Sequence, residues 1–332
     1  MDKFKAYQLT ETPDKKIRAE FVERSLDELD PGEVVVRVAN SDVNYKDALA
    51  ATGKGKILRR ASCIGGIDFS GTVVSSADAR FAKGDAVLAV GYDLGVAHDG
   101  GYAEYARVPA EWLSKLPKGM SLWDAMAFGT AGFTAGIGIV RMEHNGLKPQ
   151  SGPVIVDGAT GGVGSIAIAA LARLGYHVVA LTGKESESDW LKKLGAKEVK
   201  LRSSIDFSKT RPLEKASWAG AVDNLGGEVL AWMASTMKVN GVIASIGLAA
   251  SPSLNTTVLP FILRGVSLLG INSTDSPGPE LRREVWRRLA TDLRPPLLKE
   301  MCRTIAFSQL PAAFDDFIQG KVNRRIVVDL AE

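Results

Sequence analysis

Cysteine and histidine are scarce in this 332-residue chain, which has two cysteines, Cys63 and Cys302, and three histidines, His98, His144 and His177. Two distant cysteines make neither a disulfide framework nor a CxxC knuckle. A zinc site needs about four nitrogen, sulfur or oxygen ligands. These residues share no ligand-like spacing, so no metal site is expected. Charge of one sign is not concentrated either: 41 Lys and Arg against 38 Asp and Glu leave a net +3 without basic blocks, and nucleic acid is not expected as a partner. Long apolar runs are also lacking. The opening MDKFKAYQLTETPDKK has no apolar signal core, and no run reaches bilayer-spanning length. The expectation is a cytoplasmic protein with no membrane partner.

What is present is ordinary globular composition, 45% apolar and 24% charged, in a chain comfortable for two domains. The stretch 154–184, VIVDGATGGVGSIAIAALARLGYHVVALTGK, organises it. Val154-Ile-Val reads as a buried strand running into a glycine loop. Ile166, Ala167, Ala170, Leu171 and Leu174 then recur at helical spacing, Gly175 closes the helix, and 177–181 is a second strand. Read as GxGxxG, the loop has Ala159 at the first glycine place; read as GxxGxxG, Gly158, Gly161 and Gly164 all fit. In this βαβ setting such a loop brings phosphates to the helix N-terminus, which is dinucleotide binding. An NAD site usually ends its second strand with Asp or Glu. Here Thr182, Gly183 and Lys184 stand there instead, and Arg202 follows the next strand. A hydroxyl and cations suit a 2′-phosphate, so NADPH is expected. The plainer reading makes Lys184 and Arg202 solvated surface charges.

The first third alternates short β-like runs with turns, at 5–9, 17–21, 34–38, 65–74, 85–90 and 101–108. A helix over 41–50 is followed by a loop with Lys54, Lys56, Arg59 and Arg60. From Ser121 the pattern changes to apolar helices, then to repeated β-α alternation with strands at 198–201, 219–224, 242–247 and 266–271. This predicts an α/β fold with a Rossmann doubly wound parallel sheet beside a β-rich domain. A helix over 280–293 and a β-like tail at 324–330 follow, and the tail can return to the first domain.

GGIDFSG at 65–71, GTAGFTA at 129–135, GATGGVGS at 158–165 and LKKLGA at 191–196 together resemble the medium-chain dehydrogenase/reductase superfamily. More narrowly, NYKDALAATGKGKI at 44–57, RPLEK at 211–215 and PFILRGVSLLGINS at 260–273 look like the acrylyl-CoA reductases of its quinone oxidoreductase-like branch. The resemblance covers almost the whole chain. It implies a GroES-like catalytic domain over 1–125, completed by about 275–332, and a Rossmann NADPH-binding domain over 126–274. Where zinc-dependent members carry a cysteine and a Gly-His-Glu, this chain has Asp42-Val-Asn44 and Gly66-Ile-Asp68, which implies reduction of an activated double bond without zinc.

The implied reaction takes a short 2-enoyl-CoA, acrylyl-CoA to propionyl-CoA, with NADPH. Tyr45 is implied at the nicotinamide end, and Asn44 is a candidate donor to the substrate carbonyl. Their plainer readings are a half-buried aromatic and a helix-side amide. Asp68 reads as a candidate or as a satisfied buried carboxylate. Cofactor contacts carried over by motif are Tyr45, Thr160, Gly161, Gly162, Val163, Thr182, Gly183, Lys184, Arg202, Leu248, Ile262 and Ser273. Lys54, Lys56, Arg59 and Arg60 are candidates for the coenzyme A phosphates, or a solvated loop. The alternatives are an NADPH:quinone oxidoreductase and a non-catalytic NADPH-binding sensor. A homodimer through the apolar edge strand 266–271 is expected.

Overall fold

In the computed structural model, which describes residues 3–274 and 277–330, the alternating apolar pattern at the start of the chain becomes β1 (Phe4–Glu11) and β2 (Ile17–Arg24), an antiparallel pair. β3 (Val34–Val43) is longer than its apolar run predicts. Its last residues stay in the sheet, so α1 (Tyr45–Thr52) begins four residues later than the spacing suggested, with Asn44 as its N-cap. β4 (Ser62–Ile64), β5 (Asp68–Ser76), β6 (Ala86–Val90), β7 (Tyr105–Val108) and β8 (Ser114–Lys115) follow.

The two apolar helices expected after Ser121 are present, run together as α2 (Leu122–His144) across a kink at Gly129, whose backbone is non-helical. By length and composition α2 is long and apolar enough to cross a membrane, which the reading of short apolar runs did not anticipate. However, 89% of its apolar window is buried within the protein, the behaviour of a core helix.

Then come β9 (Val154–Val156), α3 (Gly162–Arg173), β10 (Val178–Thr182), α4 (Ser188–Lys193), β11 (Glu198–Leu201) and β12 (Trp218–Asp223). They are followed by α5 (Gly227–Thr236), β13 (Met237–Ser245), α6 (Leu259–Arg264), β14 (Ser267–Gly270) and α7 (Pro279–Ala290). The chain closes with β15 (Cys302–Ala306), α8 (Leu310–Ile318) and β16 (Arg325–Asp329).

The chain divides into two units, Met1–Thr130 with Leu298–Glu332, and Ala131–Leu297. In the first unit, strands run β15-β16-β3-β5-β6-β8 with β7 paired to β3, beside a sheet β2-β1-β4. The tail does return: β16 lies antiparallel to β3, with Ile326 opposite Val43. Aromatic contacts such as Tyr7 with Phe21 at 4.8 Å and Tyr102 with Phe314 at 5.8 Å fill this core. β15 and α8 were not foreseen, being too short and too mixed in polarity to stand out.

The second unit is a six-stranded parallel sheet, order β11-β10-β9-β12-β13-β14. From β9 the chain winds first toward β10 and later toward β12, so the topological switch point lies at the carboxyl ends of β9 and β12. Both domain boundaries differ from the expected ones. The first falls at Thr130 rather than near 125, and the second at Leu297 rather than near 275. The second shift has a packing cause. On α7, Trp286 stacks on Phe133 of α2 at 5.3 Å, and Arg282 lies over the same ring at 5.0 Å, so α7 belongs to the second unit.

Candidate cofactor and active site

The loop after β9 is shaped by its glycines. The Gly161 N–H donates to the Gly158 carbonyl at 2.8 Å, and α3 starts at the next residue. A Cβ on Gly164 would run into the Gly158 carbonyl, 2.9 Å from its carbon, so only glycine lets the helix pack this closely on its strand. Gly164 is buried, while Thr160, Gly161, Gly162 and Val163 remain exposed or half-buried. The first turn of a helix leaves N–H groups without intrahelical partners, which makes this segment a cradle for phosphate.

At the end of β10, the buried Thr182 hydroxyl accepts the Lys184 N–H at 3.0 Å. Thr182 therefore shapes the turn and is not an exposed contact. Gly183 and Lys184 are exposed, and the Arg202 guanidinium lies against Gly183, where a Cβ would come within 3.3 Å of Nη2. Gly183 and Arg202 open a cavity of about 980 Å³ whose other walls include Phe207, Arg211, Ser251 and Thr257. Arg211 is held in a fork by Glu214, at 3.1 and 2.8 Å. Among the described residues Lys184 and Arg202 have no carboxylate partner, and Arg202 lines the cavity. Leu248 and Ile262 are exposed, and the Ser273 hydroxyl pairs with Thr134 at 2.7 Å. Loop, cations and cavity fit a dinucleotide with a 2′-phosphate.

In the first unit, Tyr45 opens α1 at 57% exposure, and its phenol makes no hydrogen bond among the described residues. It is not the half-buried aromatic of the plainer reading. Asn44 differs from expectation as well. Its amide donates to Asp42 and to Asp68, each at 2.9 Å, and its oxygen accepts from Arg325 at 3.2 Å. With both N–H bonds committed, Asn44 has none left for a substrate carbonyl. Its backbone N–H donates to Asp47 at 2.8 Å, which caps α1 beneath Tyr45.

Around Asn44 lies a cluster the sequence reading missed. Asp42, Asp47 and Asp68 are all buried, and Arg325, also buried, pairs with Asp42 and reaches the Ala127 and Phe128 carbonyls. Asp68 also accepts from the Thr130 N–H at 2.7 Å and hydroxyl at 2.5 Å, so it is a satisfied buried carboxylate. Burial and then the charge of Asp68 push the Asp42 carboxyl up, and its partner Arg325 pulls it back toward the ionised form. The same two causes raise Asp47 to about 7, although the Asn44 and Ile67 N–H groups oppose it. Gly129 explains the break in α2. Its φ of 50° suits glycine, and a Cβ there would occupy the position of the Asp42 carboxylate. A charged residue within an apolar strand, such as Arg325 before Ile-Val-Val, was the available signal for a buried partner.

The cationic loop is only half available. Arg59 pairs with Asp93 and Arg60 with Asp30. Lys54 and Lys56 are exposed and have no ion pair among the described residues. No group of three or more His, Cys, Asp and Glu among the described residues is arranged to hold a metal.

Residues 30–118 match the family described as the alcohol dehydrogenase GroES-like domain, and residues 162–291 the family described as zinc-binding dehydrogenase. The putative quinone oxidoreductase YhfP of Bacillus subtilis is 47% identical over 92% of this chain and 93% of its own. A solved structure of yhfP with NAD bound has a TM-score of 0.96, at 44% identity, covering 99% of this chain and all (100%) of that one. The acrylyl-CoA reductase AcuI of Ruegeria pomeroyi is 45% identical over 95% of each chain. The yhdH oxidoreductase of Salmonella enterica, solved in complex with NADP, has a TM-score of 0.94 at 45% identity, covering 98% and 99%.

A parallel doubly wound sheet with its glycine loop at the switch point, preceded by a GroES-like unit, defines a dinucleotide-dependent oxidoreductase. The chain belongs to the medium-chain dehydrogenase/reductase superfamily, in its quinone oxidoreductase-like branch.

Proposed function

We propose that this oxidoreductase reduces the carbon–carbon double bond of a short 2-enoyl-CoA, acrylyl-CoA to propionyl-CoA, with NADPH and without zinc. The observation that carries the reading is the 45% identity to the acrylyl-CoA reductase AcuI over 95% of both chains. It joins a local one: β10 ends in Thr182-Gly-Lys184, with Arg202 against Gly183 and no acid at the ribose position.

The first turn of α3, with Thr160, Gly161, Gly162 and Val163, would hold the pyrophosphate, and Lys184 and Arg202 the 2′-phosphate. Leu248, Ile262 and Ser273 are the remaining proposed contacts in this unit. NADPH bound there supplies the hydride that reaches the substrate β-carbon, while the α-carbon takes a proton. Tyr45 is the proposed residue at the reacting end, since its phenol is exposed and uncommitted. Asn44 acts behind it, tying the start of α1 to Asp42, Asp68 and Arg325. Lys54 and Lys56, the uncommitted cations of their loop, are the proposed contacts to the coenzyme A phosphates. Zinc has no part because Asp42-Val-Asn44 and Gly66-Ile-Asp68 occupy the positions where zinc-dependent relatives carry ligands, and turnover is expected to survive exhaustive chelation.

A second reading, an NADPH:quinone oxidoreductase, is favoured by the 47% identity to YhfP. Steady-state assays with NADPH against acrylyl-CoA, crotonyl-CoA and a quinone decide between them. Preference for acrylyl-CoA supports the first reading and preference for the quinone replaces it. NADPH binding with no turnover of any of the three leaves a non-catalytic sensor.

For assembly we propose a homodimer formed by pairing the edge strand β14 with its symmetry mate, in the cytoplasm where acyl-CoA and NADPH are supplied. Among the described residues β14 has a neighbour in its sheet on one side only, and Val258, Ile262 and Leu263 just before it are exposed apolar side chains. A monomeric mass in sedimentation at micromolar concentration would remove this proposal.

A further inference from the structure

At the switch point two carboxyl groups are buried beneath the glycine loop. Asp157 follows the last residue of β9, and Asp223 ends the neighbouring β12. Both have no exposed surface. Three of their four oxygens accept ordinary hydrogen bonds. Asp157 Oδ1 takes the Asn224 N–H at 2.5 Å, Asp223 Oδ1 takes the Gly226 N–H at 2.8 Å and the Leu225 N–H at 3.3 Å, and Asp223 Oδ2 takes the Ser245 hydroxyl at 3.0 Å. The fourth, Asp157 Oδ2, is buried with no donor among the described residues. A buried carboxylate oxygen without a donor is costly, and a proton on it removes that cost by making it a donor itself.

We propose that Asp157 is held protonated, donates to Asp223, and serves as a positioning residue for dinucleotide binding by fixing the loops after β9, β12 and β13 in one arrangement. The proposal rests on the reading of residues 158–164 as the dinucleotide loop. The links between the loops are direct. The Asn224 side chain donates to the Asp157 carbonyl at 2.8 Å, the Gly247 N–H donates to the Asp223 carbonyl at 3.2 Å, and the Ala249 N–H donates to the Asn224 carbonyl at 3.3 Å.

Burial, followed by the charge of Asp223, pushes Asp157 well above the carboxylate range, and burial raises Asp223 in the same direction. The groups facing the pair are Asp223 and Asp157 themselves, Asn224, the Leu225 and Gly226 amides, and Ser245 from β13. Among the described residues no cation forms an ion pair with either carboxyl. Loss of the shared proton would leave two adjacent buried negative charges below a phosphate-binding loop, so it should open the arrangement and weaken the cofactor.

The test uses the full-length protein with Asp157→Asn, which keeps the shape, accepts from Asn224 and donates to Asp223 without titrating, and with Asp157→Ala. NADPH affinity is measured by fluorescence titration from mildly acidic to mildly alkaline pH. The wild-type Kd should rise by up to about tenfold per pH unit above the pKa of the pair. D157N should be flat and as tight as the acidic wild type, and D157A weak throughout. Titration of the 2′-phosphate is common to both proteins and cancels in the comparison. The infrared spectrum of the unliganded protein reads the proton itself: the carboxylic-acid carbonyl band at neutral pH, to which the raised Asp47 also contributes, should lose a component in D157N. Parallel titration of D157N and wild type, or no such component, overturns the proposal. That component present with no NADPH binding in the wild type instead removes the dinucleotide reading, and the positioning role with it. If D157N does not fold, an infrared pH titration of Asp47→Asn, which removes the other carboxyl titrating near 7, still decides the matter by whether the remaining band is lost as NADPH affinity falls.

Discussion

Arg325 and Asp42, 283 positions apart in the chain, form an ion pair in which both side chains are buried, at 4% and 0% exposure. The pair joins the last strand, β16, to β3, and Asn44 and Asp68 complete its hydrogen bonds. Removing one partner of such a pair strands the other in the interior. Arg325→Met is therefore expected to lower stability by about 3–5 kcal/mol. The double variant D42N/R325M should recover part of that loss, because the two sites share one interaction. Urea denaturation measures both, and an unchanged midpoint for R325M would show that the pair adds nothing to the fold.

Asp47 gives the first unit a pH dependence of definite sign. Its folded pKa is raised to about 7 from an ordinary carboxylate value. The native protein thus keeps a proton that the unfolded chain releases. The stabilising contribution is whole below about pH 4 and is lost as pH rises through about 7. Asp47→Asn should reduce that slope. It should also cost about 1–3 kcal/mol, since its NH2 would face a backbone N–H that Asp47 now accepts. Melting temperatures across this range test it, and an unchanged slope in D47N would assign the dependence to other groups.

For the cofactor, Lys184→Asp should weaken NADPH binding by about 1.5–3 kcal/mol if the contact is desolvated, and by about 0–1 kcal/mol if water screens it. NADH binding should change far less. The comparison has force because yhfP, 44% identical, was solved with NAD bound. Equal affinity of the wild type for NADPH and NADH would sink the assignment of Lys184 and Arg202 to a 2′-phosphate.

The loop cations divide into two pairs with different expected effects. Neutralising Lys54 and Lys56 should raise KM for acrylyl-CoA far more than for a small enone without the nucleotide, with kcat little changed, because the lost binding is remote from the reacting carbons. Neutralising Arg59 and Arg60, whose charges Asp93 and Asp30 already meet, should leave that KM ratio almost unchanged and cost at most about 0–1 kcal/mol of stability per pair. A larger KM effect from the arginines would reverse the assignment.

The sequence by itself determined the parallel sheet of the second unit, though not where that unit ends. Val154-Ile-Val, the glycine loop, the helical spacing of Ile166 to Leu171 and the run ending at Thr182 are local patterns, and a parallel sheet buried on both faces imposes such runs whatever lies elsewhere in the chain. The absence of an acid after Leu181 was legible for the same reason: that position is fixed by its distance from the strand end. The return of the tail at 324–330 was also visible as a β-like run.

Tertiary structure decided which polar groups meet. Asn44 looked like a free donor until the register of β3 against β5 and β16 brought Asp42, Asp68 and Arg325 around it. Arg59 and Arg60 looked free until Asp93 and Asp30 were found beside them. Asp157 and Asp223 are neighbours because β9 and β12 pair in parallel with Val156 opposite Val222. Periodicity tells whether a side chain faces the interior, but not which strand lies next to it. In a buried site, the identity of that neighbour settles whether a carboxyl is ionised, paired or protonated.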